Sequence, residues 1–560
     1  MNNEKLSAVI RRVEALLAAQ VLSPQVQEAV ELLLNALEAL CADKYELATE
    51  VERLRKRLEQ KKHEKSSKHD DDQPKPDSNH SSEKQREQIA DPDHPPRTGH
   101  DHRSFKPLEI HEERECPVDT TLLPPDALRC ADDLLIVQDI HIEPHNLRFH
   151  QEVWYSPTTG QFYRGALPPG YDHGDFSDGL RALIIALKYC GNMSEPKIEE
   201  LLANFEIQVS SGSISNILTN TASEFETDYH EILVAGLAST IYVQIDDTSA
   251  RVNGKFWHTH IVCNPWYTYY STQPRKDRLT VLAVLQALKN TGDLQFQCDA
   301  ETLELLASEF QLPDTWRLKL TALGEVTMTS SQLKTLFDDW FGSGHKQLRA
   351  AMEQAAAIVF YRHQTAVPRP RVLVSDGAKQ FEHLLEAWQQ CWVHDGRHYE
   401  KLSPVVKSHA KALQEFRTRY WRYYAALQDY RAGPSPEKKH KLQTDYDELF
   451  ATRTGYDFLD DRIAKTQAKR NELLTVLAHP AVPLHNNTSE LGARVSARRR
   501  DVSLHSKSER GVRAMDIFTT LVQTAKKLGV SAYHYFRDRL QGLLQSTTLA
   551  NLLLSANASG

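Results

Sequence analysis

Three carboxylates in this chain, Asp246, Asp376 and Glu490, stand where phosphodiester chemistry can be built around them. Asp246, with Asp247 beside it, ends a β-rich run over 240–248, and Asp376 ends a second apolar run over 371–377. Glu490 follows Asn486 and Asn487 and stands at the head of Arg494, Arg498, Arg499 and Arg500. Three converging carboxylates cannot all stay ionised in a dry site, because like charges raise one another's pKa. Divalent cations resolve this. Mg²⁺ (or Mn²⁺) takes oxygen ligands, keeps several waters and completes its shell with substrate phosphate. Two such ions activate the attacking oxygen and stabilise the leaving one. The arginines suit phosphate: across 494–513 seven Lys and Arg, including Lys507 and Arg510, face Asp501 and Glu509, a net charge of +5. Each feature also has a plain reading. An Asp at a strand end forms turns, the 486–490 stretch is a helix N-cap with an acidic first turn, and a basic run is a solvated helix face.

The elements that must position these residues follow from periodicity. The run 240–248 is followed by strand candidates at 255–262 and 266–271, a meander with an acid at the end of its first strand. The run ending at Asp376 is followed by a predicted helix over 378–390 and then Cys391-Trp392-Val393-His394. His394 is read either as a strand-end histidine in the core or as a group that orients a metal ligand or a phosphate. The stretches 294–367 and 401–478 read as mostly helical and lie between the three acids.

Upstream, residues 1–60 read as helix, with Ser23-Pro24 as a start signal and Leu33, Leu37, Leu40, Leu47, Val51, Leu54 and Leu58 in heptad spacing, Lys44 being the one polar seam position. That predicts a coiled coil pairing two chains, or an intramolecular helical hairpin. Residues 61–104 are polar, charged and His-bearing, the composition of a disordered linker. Residues 105–172 hold short β-like segments at 134–138, 152–155 and 160–163. Cys116-Pro117 there lacks a second paired knuckle, so a zinc ribbon that has lost its metal is expected, with Cys116, Cys130 and nearby histidines as the remaining ligand candidates. Over 173–230 short helices with a small polar turn and a serine-opened last helix follow a helix-turn-helix pattern, placing Ser213, Ser215 and Asn216 toward DNA. A plain helical connector is the alternative.

At 560 residues, 40% hydrophobic and 25% charged, the composition is that of a globular protein with several domains. No apolar run approaches the roughly 20 residues that span a bilayer. The seven cysteines form no CxxC pair, and the N-terminal stretch lacks a signal-peptide pattern, so a cytoplasmic, reducing location is expected. A net charge of −8 leaves nucleic-acid binding to local patches.

Asp246-Asp247-Thr248, Ser375-Asp376-Gly377, Cys391-Trp392-Val393-His394 and Asn486-Asn487-Thr488-Ser489-Glu490 together resemble the IS-sixty-six family of bacterial insertion-sequence transposases. Their counterparts there are Asp-Glu-Thr, the second Asp motif, Cys-Trp-Ala-His and Asn-Asn-x-x-Glu. Arg494 and Arg500 stand at the family's arginine positions, and Arg510-Gly511 and 521–533 are similar to its C-terminal segment. The resemblance implies an α/β ribonuclease-H-like catalytic core, a mixed sheet flanked by helices, with large helical insertions, an N-terminal coiled coil and a helix-turn-helix. The core would comprise 236–292 and 371–510, interrupted by helical insertions at 293–370 and 401–478 and followed by a helical segment over 511–560. Asp246, Asp376 and Glu490 would bind two Mg²⁺ (or Mn²⁺) and cleave and join DNA. Its partners would be element-end and target DNA, a second copy of the chain in a homodimer or higher oligomer, and accessory element proteins, near the nucleoid and away from membranes. Two features depart from the family: His485 stands where it carries Asp, and the 130 residues from Asp246 to Asp376 are long for it. A metal-dependent nuclease without strand transfer, or a catalytically silent DNA-binding regulator, are the other readings.

Overall fold

The computed structural model describes residues 24–64, 109–119, 124, 133–140, 142–172, 174–310, 312–543 and 547–558. They fall into two compact units, 1–41 with 142–560, and 42–141. The expected linker beyond residue 64, Ser23 and Cys130 lie outside the described residues, as do the side chains of Leu54 and Leu58.

Helix α1 (Pro24–Glu64) bears the heptad leucines, and Leu33, Leu40, Leu47 and Val51 are exposed on this chain. In the second unit, the 134–138 run expected as a strand is unpaired and exposed, Leu134 at 95%. Its apolar residues are consecutive and do not alternate, so neither face of a strand would be polar. In the larger unit, the β-like segments at 152–155 and 160–163 become β1 (Val153–Ser156) and β2 (Gln161–Arg164), which pair antiparallel as a hairpin. Next come α2 (Asp178–Tyr189), α3 (Glu195–Asn204), α4 (Ser211–Thr221) and α5 (Glu226–Ala238). Ser177, Ser194 and Ser210 cap the first three by accepting backbone N–H bonds, which is why the serines mark their starts.

A five-stranded mixed sheet follows, built from β3 (Tyr242–Val252), β4 (Lys255–Cys263), β5 (Thr268–Gln273) and two strands far downstream. Between them lie α6 (Arg278–Leu285), β6 (Gln295–Cys298), α7 (Ala300–Glu309), α8 (Asp314–Leu323), β7 (Val326–Thr329), α9 (Ser330–Phe341) and α10 (Lys346–His363). The 293–370 stretch is therefore not wholly helical: β6 and β7 pair antiparallel within it. The strands β8 (Val372–Ser375) and β9 (Ala387–Gln390) complete the sheet in the order β5-β4-β3-β8-β9. The meander pairs antiparallel, whereas β8 runs parallel to β3 and β9 parallel to β8.

The helix expected over 378–390 is corrected here. Gly377 (φ +91°) turns the chain, a single 3₁₀ turn spans Lys379–Phe381, His383 takes φ +64°, and β9 follows. Phe381, Leu384 and Leu385 are buried at a spacing that imitates a helix face, but they line a loop.

The remaining helices are α11 (Trp392–Glu400), α12 (Lys407–Ala432), α13 (Pro436–Phe450), α14 (Asp457–Gln467), α15 (Arg470–Leu473), α16 (Asn487–Val502), α17 (Glu509–Lys527), α18 (Ala532–Leu540) and α19 (Leu549–Ala558). Helices α12–α15 have their own core of Phe416, Tyr420, Tyr423, Tyr446 and Phe450, into which Trp392 inserts. The N-terminal helix docks on this layer through Glu38, 3% exposed, which accepts N–H bonds from Val405 (3.0 Å) and Val406 (2.9 Å) and faces His409 Nδ1 at 3.3 Å. Helices α2–α5, α17 and α18 share one hydrophobic core with the sheet. No described helix is long and apolar enough to cross a membrane.

Candidate active site

Strand register brings the first two acids together. Gln244 on β3 pairs with Val374 on β8, and two residues further along these parallel strands Asp246 comes alongside Asp376. The four residues before Asp246 are buried, as a sheet covered on both faces requires; Asp246 is the first to open toward solvent. Asp376 accepts an N–H bond from Ala378 (3.1 Å) in the turn made by Gly377. At φ +91° this turn favours glycine, and a Cβ at 377 would also come 2.7 Å from Gln390 Oε1, so the Gln390 side chain would have to shift.

The third acid arrives on α16. Asn486, fully buried, donates to the Ile245 carbonyl (3.0 Å), and the Thr488 N–H donates to Gln244 Oε1 (3.1 Å). Gly492 lets the helix lie close on the sheet: a Cβ there would stand 2.8 Å from Ile261 Cγ2, and Tyr270 donates to its carbonyl at 3.1 Å. These ties set Glu490 one helical turn from the strand that carries Asp246.

Cys391 joins the second and third motifs. Its N–H donates to the Ser375 carbonyl (2.9 Å), and its Sγ accepts from the Asn486 N–H (3.3 Å). His394 is not a strand-end core residue but lies in the first turn of α11, because 391 begins a helix immediately after β9. Its Nδ1 stands 3.7 Å from Glu490. Arg397, one turn further on, contacts Glu490 Oε2 at 3.5 Å and His394 Nε2 at 3.2 Å. Sequence reading missed Arg397; its signal is the three-residue step from His394, meaningful only on a helix.

Burial pushes the Asp246 carboxyl up to about 7, and the charges of Asp376, Asp247 and Glu490 add to this against an opposing N–H bond from Asp247. Asp247 itself is taken by Lys276 (3.3 Å) and Gln380 (3.0 Å), tying the loop after Asp376 to β3. Among the described residues no lysine, arginine or histidine forms an ion pair with Asp246 or Asp376, whose oxygens are hard ligands, and the buried Asn486 Oδ1 has no hydrogen bond. This fits Mg²⁺ or Mn²⁺. Among the described residues, the His, Cys and acidic groups whose ligand atoms all lie within 4.8 Å of one another are Cys391, His394 and Glu490.

The predicted phosphate contacts divide. Arg498, Lys507 and Arg510 are exposed, and Arg494 is half-buried. Arg510 donates to Asn220 Oδ1 (2.6 Å). Arg500 donates to Thr248 Oγ1 (3.1 Å) and to the Ser249 carbonyl, bracing the strand beyond Asp246. Arg499 is a correction: it is buried, lies over the Tyr189 ring at 4.9 Å and donates to the Tyr189 carbonyl (3.0 Å) and the Thr519 hydroxyl. Seven residues beyond Gly492, it falls on the helix face that packs inward and cannot reach phosphate. On α4, Asn216 is exposed, Ser213 and Ser215 are half-buried, and Ser213 shares a hydrogen bond with the cap Ser210 (3.0 Å).

The family model described as "Transposase IS66 family" matches residues 173–300 and 352–514, just over half of the chain. The protein belongs to the IS66 family of transposases, and so to a class of DNA-processing enzymes. Residues 301–351 between the two matched stretches include α8, β7 and α9. A curated relative, the uncharacterized protein y4jO of Sinorhizobium fredii (strain NBRC 101917 / NGR234), is 29% identical over 317 residues, 55% of this chain and 94% of that protein.

Proposed function

We propose that this transposase cuts the ends of its element and joins the resulting 3′-hydroxyls to target DNA, with Asp246, Asp376 and Glu490 as the metal-holding triad of a ribonuclease-H-like core. The observation that carries the reading is the parallel β3/β8 register, which aligns Asp246 with Asp376 while Asn486 and Thr488 tie the Glu490 helix to the same strand. The sheet order, three antiparallel strands followed by two parallel ones, supports the fold assignment.

The three carboxylates would hold two Mg²⁺ or Mn²⁺ ions. When bound, such ions activate a water or 3′-hydroxyl and stabilise the leaving oxygen of an in-line displacement. Arg397 steadies Glu490, while Asp247, held by Lys276 and Gln380, keeps the Asp376 loop against β3. Arg494, Arg498, Lys507 and Arg510 contribute positive charge for the DNA backbone. Helices α3 and α4 act as the helix-turn-helix over 173–230, presenting Asn216 and its neighbours Ser213 and Ser215 to terminal DNA. The exposed leucine seam of α1 pairs with a second copy, since two ends must be held together.

The test is a Mg²⁺-dependent cleavage and joining assay on terminal-repeat DNA. Asp246→Ala, Asp376→Ala and Glu490→Ala each abolish cleavage and leave DNA binding largely intact. Nicking retained in the Glu490→Ala protein would sink the assignment. Cleavage without joining would indicate a nuclease, and binding without either a silent regulator.

A further inference from the structure

Close to the three carboxylates lies a second cluster of different chemistry. Cys391 caps α11 and is buried, its sulfur held in place by the Asn486 N–H at 3.3 Å and its backbone by Ser375. His394 follows at the three-residue step that returns a side chain to the same face of a helix. Its Nδ1 is buried and makes no hydrogen bond among the described residues; Glu490 Oε1, at 3.7 Å, is outside hydrogen-bond reach. The sulfur, the imidazole nitrogen and a Glu490 oxygen all lie within 4.8 Å of one another.

Oxygen-seeking Mg²⁺ has no use for a thiol, whereas Zn²⁺ and Co²⁺ favour sulfur and imidazole. Ligand atoms around one tetrahedral Zn²⁺ stand about 3.3–3.8 Å apart, so rotations of the Glu490 and His394 side chains close the set. A buried imidazole nitrogen without a donor or acceptor is costly unless something binds it. We propose that Cys391, His394 and Glu490 form a thiophilic divalent-metal site that shares Glu490 with the catalytic carboxylates. Binding replaces the Cys391 thiol proton, released to solvent, with a metal–sulfur bond, and water completes the shell. Because one carboxylate serves both sites, Zn²⁺ there withdraws Glu490 from the Mg²⁺ pair. The site is thus inhibitory, a statement that rests on the catalytic reading, whereas the binding itself does not.

The experiment titrates full-length protein with Co²⁺ and follows the near-ultraviolet thiolate-to-cobalt charge-transfer absorption. One equivalent is expected to produce the band, Zn²⁺ to remove it, and a large excess of Mg²⁺ to leave it. Cys391→Ser should abolish the band, His394→Ala should weaken Co²⁺ affinity at least tenfold, and Asp246→Asn should keep it, each with an unchanged circular dichroism spectrum. If Cys391→Ser fails to fold, His394→Ala alone carries the test. Absence of the band in the unsubstituted protein, or its persistence in Cys391→Ser, overturns the site and leaves the catalytic reading untouched. A normal band together with Mg²⁺-dependent cleavage that one equivalent of Zn²⁺ does not reduce overturns the sharing of Glu490. A normal band with no cleavage under any condition overturns the catalytic reading alone.

Discussion

At the scale of single residues, the cluster of carboxylates works against its own protein. Burial, with the charges of Asp376, Asp247 and Glu490 adding to it, raises the Asp246 carboxyl from its ordinary 3.8 to about 7. A carboxyl whose folded pKa is raised contributes stability that is present below the unfolded value and lost as pH rises through the folded one. In chelator, the thermal midpoint of the unsubstituted protein should therefore fall, relative to Asp246→Asn, between about pH 4 and 7, and level off above that. The difference can reach about 4 kcal/mol as an upper limit, reduced by the solvent that reaches the site. Added Mg²⁺ should shrink it. Melting curves that stay parallel across this range would show that the fold does not raise the Asp246 carboxyl. Arg499 marks the limit of residue-level reading. In a list of arginines it is indistinguishable from Arg498 and Arg500, and only helix phase, set by Gly492 against Ile261, turns it inward.

At the scale of elements, α16 is positioned by the absence of a side chain. Gly492→Ala would drive a methyl group to 2.8 Å from Ile261 Cγ2, with Thr268 and the Tyr270 hydroxyl at 3.4 Å. Overpacking of this kind costs about 1–3 kcal/mol. The expected result is a lowered unfolding midpoint and a loss of cleavage larger than any loss of DNA affinity, because Glu490 rides on the displaced helix. A variant with full activity and a lowered midpoint would separate helix placement from catalysis.

Helix α1 makes a second element-scale case. Burial raises the Glu38 carboxyl, but hydrogen bonds from His409, Val406 and Val405 outweigh it and hold the group below its ordinary value. Its stabilising contribution is therefore present above the ordinary carboxylate range and lost as pH falls through the depressed value. Acidification should release α1 first, seen as faster hydrogen exchange over 24–41. Glu38→Ala should do the same at neutral pH, at a cost of about 1–3 kcal/mol for the stranded N–H groups. Equal protection in both proteins would mean that the leucines, not Glu38, hold the helix.

Most strands, the serine-capped helices and the sequence order of the acids were legible because they follow local rules of period, capping and turn chemistry. The loop over 378–386 was not, because its buried residues copy a helical spacing while His383 takes a left-handed backbone. With that loop taken for a helix, α11 was misplaced, and Arg397 was lost with it. The parallel pairing of β8 with β3 joins residues about 130 positions apart, and no local pattern encodes such a partner.

At the scale of the whole larger unit, the helices over 178–238 and the five-stranded sheet are not beads on a string. They share one hydrophobic core, Arg510 holds Asn220 at the end of α4, Arg513 pairs with Glu226, and Arg499 reaches Tyr189. If α4 reads terminal DNA and the carboxylates cut it, the protein is a ruler of one length. It measures from recognised bases to scissile bond and cannot stretch. Moving the cut site by one or two base pairs relative to the recognised sequence should then abolish cleavage at both the old and the shifted positions, while binding persists. A flexible tether would tolerate the shift, and cleavage mapped on such spacer substrates distinguishes the two. An element served by this enzyme would have the spacing at its ends dictated by a handful of arginine contacts between the protein's own elements.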